Sequence, residues 1–295
     1  MLRTGSGGRR VAVAAAAAAT AAAAAAILFG VRRWRRRARD ALLARWASEQ
    51  VALRARLEME DAPVVAAMLE SLRAGDGRTW RVGGLDVSYA KGNDAEAVAS
   101  LVVVELPSLE RVYGVHEKVI LEGPYVAGFL AFREVPHFRR LLARVAREAP
   151  EAAPALLFVD GNGVLHPRGF GAASHVGVLA GIPAIGVAKT LLKVDGLDER
   201  EARAACKGLG LWESRLLIGA SGRTWGAALR TSKPTAGHGF KPVYVSVGTG
   251  VTLPSAVELA ALAALHRVPE PIRLADLEGR KVAARDILAK RGGWA

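Results

Sequence analysis

The sequence predicts an α/β domain built on a mixed sheet with flanking helices, and three observations carry that expectation. Three β-branched runs follow one another with only short turns between them. Apolar strands then alternate with helical stretches. An acid stands at the end of one of those strands. The 295 residues, 51% of them hydrophobic, suffice for one large domain with its own core and exclude a disordered or fibrous chain. Cys206 is the single cysteine, which excludes an intramolecular disulfide framework and a cysteine-rich zinc site; a buried structural thiol is expected.

Taken in order, residues 1–40 stand apart. They hold nine arginines and one acid, Asp40, for +8 of the formal +13, so the remainder is only mildly basic at +5. Val11 to Val31 is 21 residues without a charge, mostly alanine. As a helix it would span about 31 Å, yet alanine is barely lipophilic. A membrane anchor, an organellar or secretory targeting segment and a low-complexity tail all remain open.

From Ala41, residues Leu42, Leu43, Trp46, Leu53 and Leu57 recur at helical spacing. The runs Val82 to Tyr89, Val98 to Leu106 and Val112 to Ile120 read as an antiparallel meander, with turns at Lys91-Gly92-Asn93-Asp94 and Pro107-Ser108. Phe138, Leu141, Leu142 and Val145 mark a helix, and Ala155 to Val159 a buried strand ending on Asp160. A helix over Ala172 to Leu179, a strand over Ile182 to Val187, a strand over Val243 to Val247 and a helix over Pro254 to His266 complete the order. The expected organisation is therefore residues 1–40, one catalytic domain over 41–285, and a tail over 286–295.

Asp160 is followed by Gly161-Asn162-Gly163-Val164-Leu165-His166-Pro167-Arg168, so a carboxylate lies where open α/β sheets place their ligands. Nearby, His166 offers a proton-transfer group and Arg168 a phosphate-binding fork. Asp86, between Leu85 and Val87, must be paired, protonated or ligating if its strand is buried; alone it reads equally well as a satisfied structural acid. Adjacent strands could bring both acids around a Mg²⁺. The stretch from Pro124 to Glu134 is dense in aromatics and glycine. It reads either as a loop packed on the sheet, with Arg133 and Glu134 solvated, or as a base-stacking wedge followed by a phosphate contact and a metal ligand.

The motifs Gly84-Leu-Asp-Val-Ser-Tyr89, Pro124-Tyr-Val-Ala-Gly-Phe-Leu-Ala-Phe-Arg-Glu134, Val159-Asp-Gly-Asn-Gly-Val-Leu-His-Pro-Arg168, Gly186-Val-Ala-Lys-Thr190 and Pro269-Glu-Pro-Ile-Arg273 resemble those of the endonuclease V family, in a match running from Trp46 to about Arg280. The resemblance implies a ribonuclease-H-like fold and Mg²⁺-dependent cleavage, with Mn²⁺ able to substitute, at the second phosphodiester 3′ of inosine. It implies that Asp86, Glu134 and Asp160 are the catalytic, metal-binding carboxylates, and that Tyr125 belongs to a strand-opening wedge. Gly128, Leu130, Gly161 and Leu192 would line a hypoxanthine pocket, and His166 and Lys189 would contact substrate or help position the attacking water; Arg133 and Arg168 complete the candidate substrate contacts. Without the resemblance, Lys189 reads as a surface lysine and His166 as structural.

One departure stands out. The family reads Val-Ser-Val-Gly-His where this chain has Val245-Ser246-Val247-Gly248-Thr249, so Thr249 is expected to replace a histidine close to the metal, with His238 the nearest alternative in sequence. Three functions follow: an inosine-directed endonuclease, an inosine-strand binding protein with weakened catalysis, and an actin-like phosphotransferase. The third lacks the glycine-rich phosphate turn, since Val87-Ser88-Tyr89 follows the first acid. The motif wording is closest to eukaryotic members, which favour inosine in RNA, with inosine-containing DNA as the alternative. A monomer, membrane association through residues 1–40, and a cytoplasmic or nuclear location complete the expectations.

Overall fold

The structure, a computed structural model, describes residues 6–90, 93–233 and 240–291; the side chains of 6–27, 90, 93–94 and 286–291 are not described. His238 and the expected Lys91-Gly92 turn therefore lie outside the described residues, as do most of the side chains of the alanine-rich segment. No helix among the described residues is long and apolar enough to cross a membrane. The chain divides into two units, Met1–Glu49 and Gln50–Ala295. Helix α1, Ser6–Arg54, runs through the expected 40/41 division without a break.

In the second unit, α2 (Pro63–Ala74) starts on a proline whose missing N–H is harmless at that position and stops at Gly75 in the left-handed region. Strands β1 (Trp80–Ala90), β2 (Asn93–Leu106) and β3 (Arg111–Ile120) form the expected antiparallel meander. Then come α3 (Ala131–Glu148), β4 (Leu156–Asp160), α4 (Ala172–Ala180) and β5 (Ala184–Ala188). Three further elements, α5 (Glu199–Ala205), β6 (Ser214–Ile218) and β7 (Thr224–Leu229), precede β8 (Val243–Thr249). The chain ends with α6 (Leu253–Leu262) and α7 (Glu270–Arg291), and α7 continues through the expected 285/286 division.

The eight strands make one sheet in the order β3-β2-β1-β4-β5-β8-β7-β6. β1, β4 and β5 are parallel to one another, and β8 runs against β5. Alternation of side chains splits β1 between two cores. Val82 joins Leu156, Phe158, Leu259, Ile272 and Ala275 on the side of α6 and α7. Leu85 joins Leu157, Val159, Phe138, Leu141 and Val176 on the side of α3 and α4. The strands in the middle are thus covered on both faces, which is why they read as continuous apolar runs. Cys206 is free and buried, as expected. This mixed sheet with flanking helices has the ribonuclease-H-like architecture expected for the chain.

Candidate active site

Asp160 ends β4 and is the centre of the site. Its Oδ2 accepts a hydrogen bond from Lys189 Nζ at 2.6 Å, and Lys189, just past β5, lies 3.7 Å from Asp276 Oδ2. Asp86 is buried in β1, one strand away, and accepts a 3.0 Å bond from Ser88 Oγ. Burial first, then the neighbouring charges of Asp160 and Asp276, push the Asp86 carboxyl up to about 8. Glu134 arrives from the other side of the sheet, in the first turn of α3, with Oε1 2.7 Å from the Tyr89 hydroxyl. Burial, together with the charge of Asp160, raises it to about 7, although the Tyr89 bond pulls it down.

Asp160 thus sits between an acid pair on the α7 face and Glu134 on the α3 face. Positive charge reaches these acids from Lys189, from Arg133 beside Glu134, and from Arg280, whose Nε is 2.6 Å from Asp276 Oδ1. Among the described residues no three His, Cys, Asp or Glu side chains already converge as a metal cage. The donor set nevertheless fits a hard dication: oxygen ligands only, and carboxylates raised first by burial and then by the charge of neighbouring acids. Both Arg133 and Glu134 are buried, which overturns the solvated alternative for this pair.

The loop before α3 carries the exposed aromatic. Tyr125 is 56% exposed, stands edge-on to Tyr89 at 6.4 Å, and lies over the Arg133 guanidinium at 5.6 Å. Its backbone is pinned at Gly128, whose φ of +82° is one that residues with a Cβ rarely adopt. The Gly128 carbonyl accepts from His166 Nε2 at 3.1 Å, Arg168 Nη2 at 2.5 Å and Gln50 Nε2 at 3.2 Å. Arg168 also bonds Gln50 Oε1 and stacks on Phe129 at 4.0 Å.

The contacts of three expected substrate residues lie within the protein. His166 donates from Nε2 and accepts the Arg168 N–H at Nδ1, and burial lowers its pKa to about 4. With both nitrogens engaged and the ring neutral, it holds a loop and offers no free base. Arg168 spends Nε and Nη2 on the same clasp. Arg133 is buried, with its guanidinium against the Tyr125 ring. Leu130 is half-buried where the loop enters α3, Leu192 is half-buried beyond Lys189, and Gly161 donates its N–H to Val187 O at 3.3 Å.

Thr249 departs from its expected place beside the metal. Asp160 pairs with Val187, whereas Thr249 pairs with Ala184, because β8 is antiparallel to β5. Three residues of strand separate them along the sheet, roughly 10 Å, so Thr249 lies toward the opposite end from Asp160. Its Oγ1 accepts the Glu58 N–H at 3.1 Å. It is a packing and hydrogen-bonding residue there, and its difference from histidine does not touch the acids.

Asp276 is the site residue that sequence reasoning missed. It sits on α7, one helical turn past Ile272, inside a run of charges that looks like a solvated face. The motif Pro269 to Arg273 immediately before it was the available signal. Its own residues serve structure, with Arg273 gripping Glu270 through two bonds of 2.8 and 2.6 Å.

The comparisons with known proteins fit this geometry. A family profile described as Endonuclease V matches residues 66–277. Mouse Endonuclease V is 43% identical over 252 residues, 84% of this chain and 71% of the mouse protein. Among solved structures, a cysteine-substituted catalytic domain of human Endonuclease V superposes with a TM-score of 0.75 at 41% identity, covering 83% of this chain and 97% of that one. Ciona intestinalis Endonuclease V, in complex with a 24mer DNA containing an inosine followed by a ribo-adenosine, superposes with a TM-score of 0.71 at 32% identity, covering 83% and 98%.

Proposed function

This chain belongs to the endonuclease V family of phosphodiester-cleaving nucleases, and on that premise we propose that it hydrolyses the second phosphodiester 3′ of an inosine, with Mg²⁺ or Mn²⁺, in single-stranded RNA. The observation that carries the reading is the meeting of Asp86, Glu134 and Lys189 at Asp160, beside an exposed Tyr125. The Ciona relative's complex with an inosine-containing strand supports the choice of base. The preference for RNA rests on the eukaryotic wording of the Asp160 and Tyr125 motifs.

Asp86, Asp160 and Glu134 would hold the metal, which supplies Lewis-acid charge at the phosphate. The chain's own residues do the rest. Tyr125 stacks where the strand is opened, while the clasp of His166, Arg168 and Gln50 on Gly128 keeps that loop in one position. Lys189 neutralises charge that develops on the phosphoryl oxygens. The Tyr89 hydroxyl orients Glu134 toward that set of oxygen ligands, and the attacking water gives up its proton to solvent. A water oxygen bonds to phosphorus, the bond to the leaving sugar oxygen breaks, and that oxygen is protonated from solvent.

Matched strands with a single inosine, one ribose and one deoxyribose, test the reading in Mg²⁺ and Mn²⁺. Cleavage of the ribose strand at the second bond is expected, together with its loss in Asp160→Asn while binding persists. Preferential cleavage of the deoxyribose strand overturns the RNA assignment. Binding without cleavage of either strand overturns catalysis.

A further inference from the structure

A polar ladder crosses the sheet beneath the acids. Asp86 of β1 stands opposite Ser100 of β2, and Ser100 stands opposite His116 of β3. Cross-strand partners share a face, so all three side chains lie under α7. His116 Nδ1 is 2.9 Å from Ser100 Oγ, and its Nε2 is 2.9 Å from Glu278 Oε2 on α7. Arg111 holds the same carboxylate with Nη2 at 3.0 Å from Oε2 and Nε at 2.9 Å from Oε1. On the near side, Ser88 Oγ donates to Asp86 and lies 3.5 Å from the backbone carbonyl of Asp276.

The helix comes down onto this row at Gly279. A Cβ there would lie 2.6 Å from Ser100 Oγ and 3.0 Å from Ser88 Oγ, so α7 can approach only because the residue is glycine. The turn of α7 that presents Asp276 is therefore gripped by polar groups on both sides. Apolar anchors such as Ile272 and Ala275 hold the helix near the sheet but set its rotation loosely. Asp276 is close enough for its charge to act on Asp86, and directional contacts are what set the spacing between the two.

We propose that His116 and Glu278, seated by Gly279, are positioning residues for the nuclease site: their pairing fixes the rotation of α7 and with it the spacing of Asp276 from Asp86. This rests on the metal-dependent nuclease reading of the same site. Groups one step behind metal ligands change metal affinity or activity about 10- to 100-fold when removed.

The test uses the full chain with His116→Phe, which keeps a ring and removes both bonds, His116→Gln, which keeps a polar head, and Gly279→Ala, whose Cβ crowds Ser100 Oγ and Ser88 Oγ where α7 meets the ladder. Turnover and KM on an inosine-containing strand are measured beside calorimetric Mn²⁺ titration of the metal-free protein and thermal unfolding. The expected result is a fall in kcat and a weakening of Mn²⁺ binding, each of about 10-fold or more, in His116→Phe and Gly279→Ala. KM should stay within about twofold and His116→Gln should recover most of the loss.

Wild-type kcat and Mn²⁺ affinity in both His116→Phe and Gly279→Ala overturn the proposal. So does a uniform fall in kcat, strand affinity and unfolding temperature that His116→Gln shares, which marks simple loosening of the fold. If the wild-type protein cleaves no inosine strand yet its Mn²⁺ affinity still responds to these variants, the substrate reading fails and the positioning role stands.

Discussion

Lys189 Nζ lies 2.6 Å from Asp160 Oδ2 and is the principal cation at an acid that also faces Asp86 and Glu134. The same ammonium is 3.7 Å from Asp276, so one flexible side chain bridges two of the four acids. Without that charge the acids repel one another more strongly, and the phosphate loses its counter-charge. Lys189→Gln is expected to lower kcat by about 10²- to 10³-fold, the scale for losing one preorganised donor. Single-turnover cleavage at saturating strand measures it, and a change below threefold excludes a role at the phosphate.

Tyr125 is exposed yet fixed from behind by Tyr89 and Arg133. Tyr125→Ala is expected to weaken binding of inosine-containing strands by roughly 1 to 3 kcal/mol, the value of one base stacked on an aromatic ring. Tyr125→Phe should retain that affinity. Fluorescence anisotropy on the Asp160→Asn background reads binding without cleavage, and equal affinities for all three proteins would falsify the wedge role.

The raised acids give a signed pH dependence. Asp86 and Glu134 hold protons in the folded metal-free protein up to about 8 and about 7, whereas the unfolded chain releases them near the ordinary carboxyl range. At these two acids the folded state binds more protons, but below about 6.5 the buried, neutral His166 and His175 act in the opposite sense, so the net fall in stability is expected as pH rises from about 6.5 to about 8. Melting of the metal-free protein at pH 6.5, 7, 7.5 and 8 should show a falling transition temperature. Saturating Mn²⁺ should flatten the trend and lower the pH at which cleavage reaches half its maximum. A melting temperature that rises through this window refutes the protonation assignment.

Thr249→His is expected to destabilise without raising activity. Thr249 is 7% exposed, its Oγ1 accepts the Glu58 N–H, and a Cβ at Gly177 would lie only 2.7 Å from its Cγ2, so the two segments are already in close contact. Imidazole overfills this space at about 1 to 3 kcal/mol. Urea unfolding measures the loss. A Mg²⁺ titration of cleavage superimposable on wild type after correction for folded fraction is the expected companion result, and a leftward shift would return Thr249 to the metal site.

Asp86 and Asp160 were legible in the sequence because each breaks an apolar strand, and a carboxylate in such a run needs a partner. The meander and the strand carrying Asp160 were legible for the same reason: β-branched runs between turn residues have few other uses. Asp276 was not, since Asp276, Glu278 and Arg280 on a charged helix give no period that separates an inward acid from solvated ones. Strands β6 and β7 escaped because β6 is a short edge strand with one buried residue, Leu217, and carries almost no alternating pattern. Residue type drew His166 and Arg168 toward the acids, but which way a side chain points is decided by tertiary packing, and both point to the Gly128 loop. Thr249 was misplaced because strand direction relative to a non-adjacent segment is not a local property.

Gln50 ties α1 to the Gly128 loop, with Nε2 donating to the carbonyls of Gly128 and Phe170 and Oε1 meeting Arg168. The loop that bears Tyr125 is therefore held by the C-terminal residues of that helix. Any maturation protease, expression tag or fusion partner that works on this chain meets a fixed limit there: a cut beyond Gln50 releases the clasp and leaves the stacking loop unmoored, although every acid would still be present.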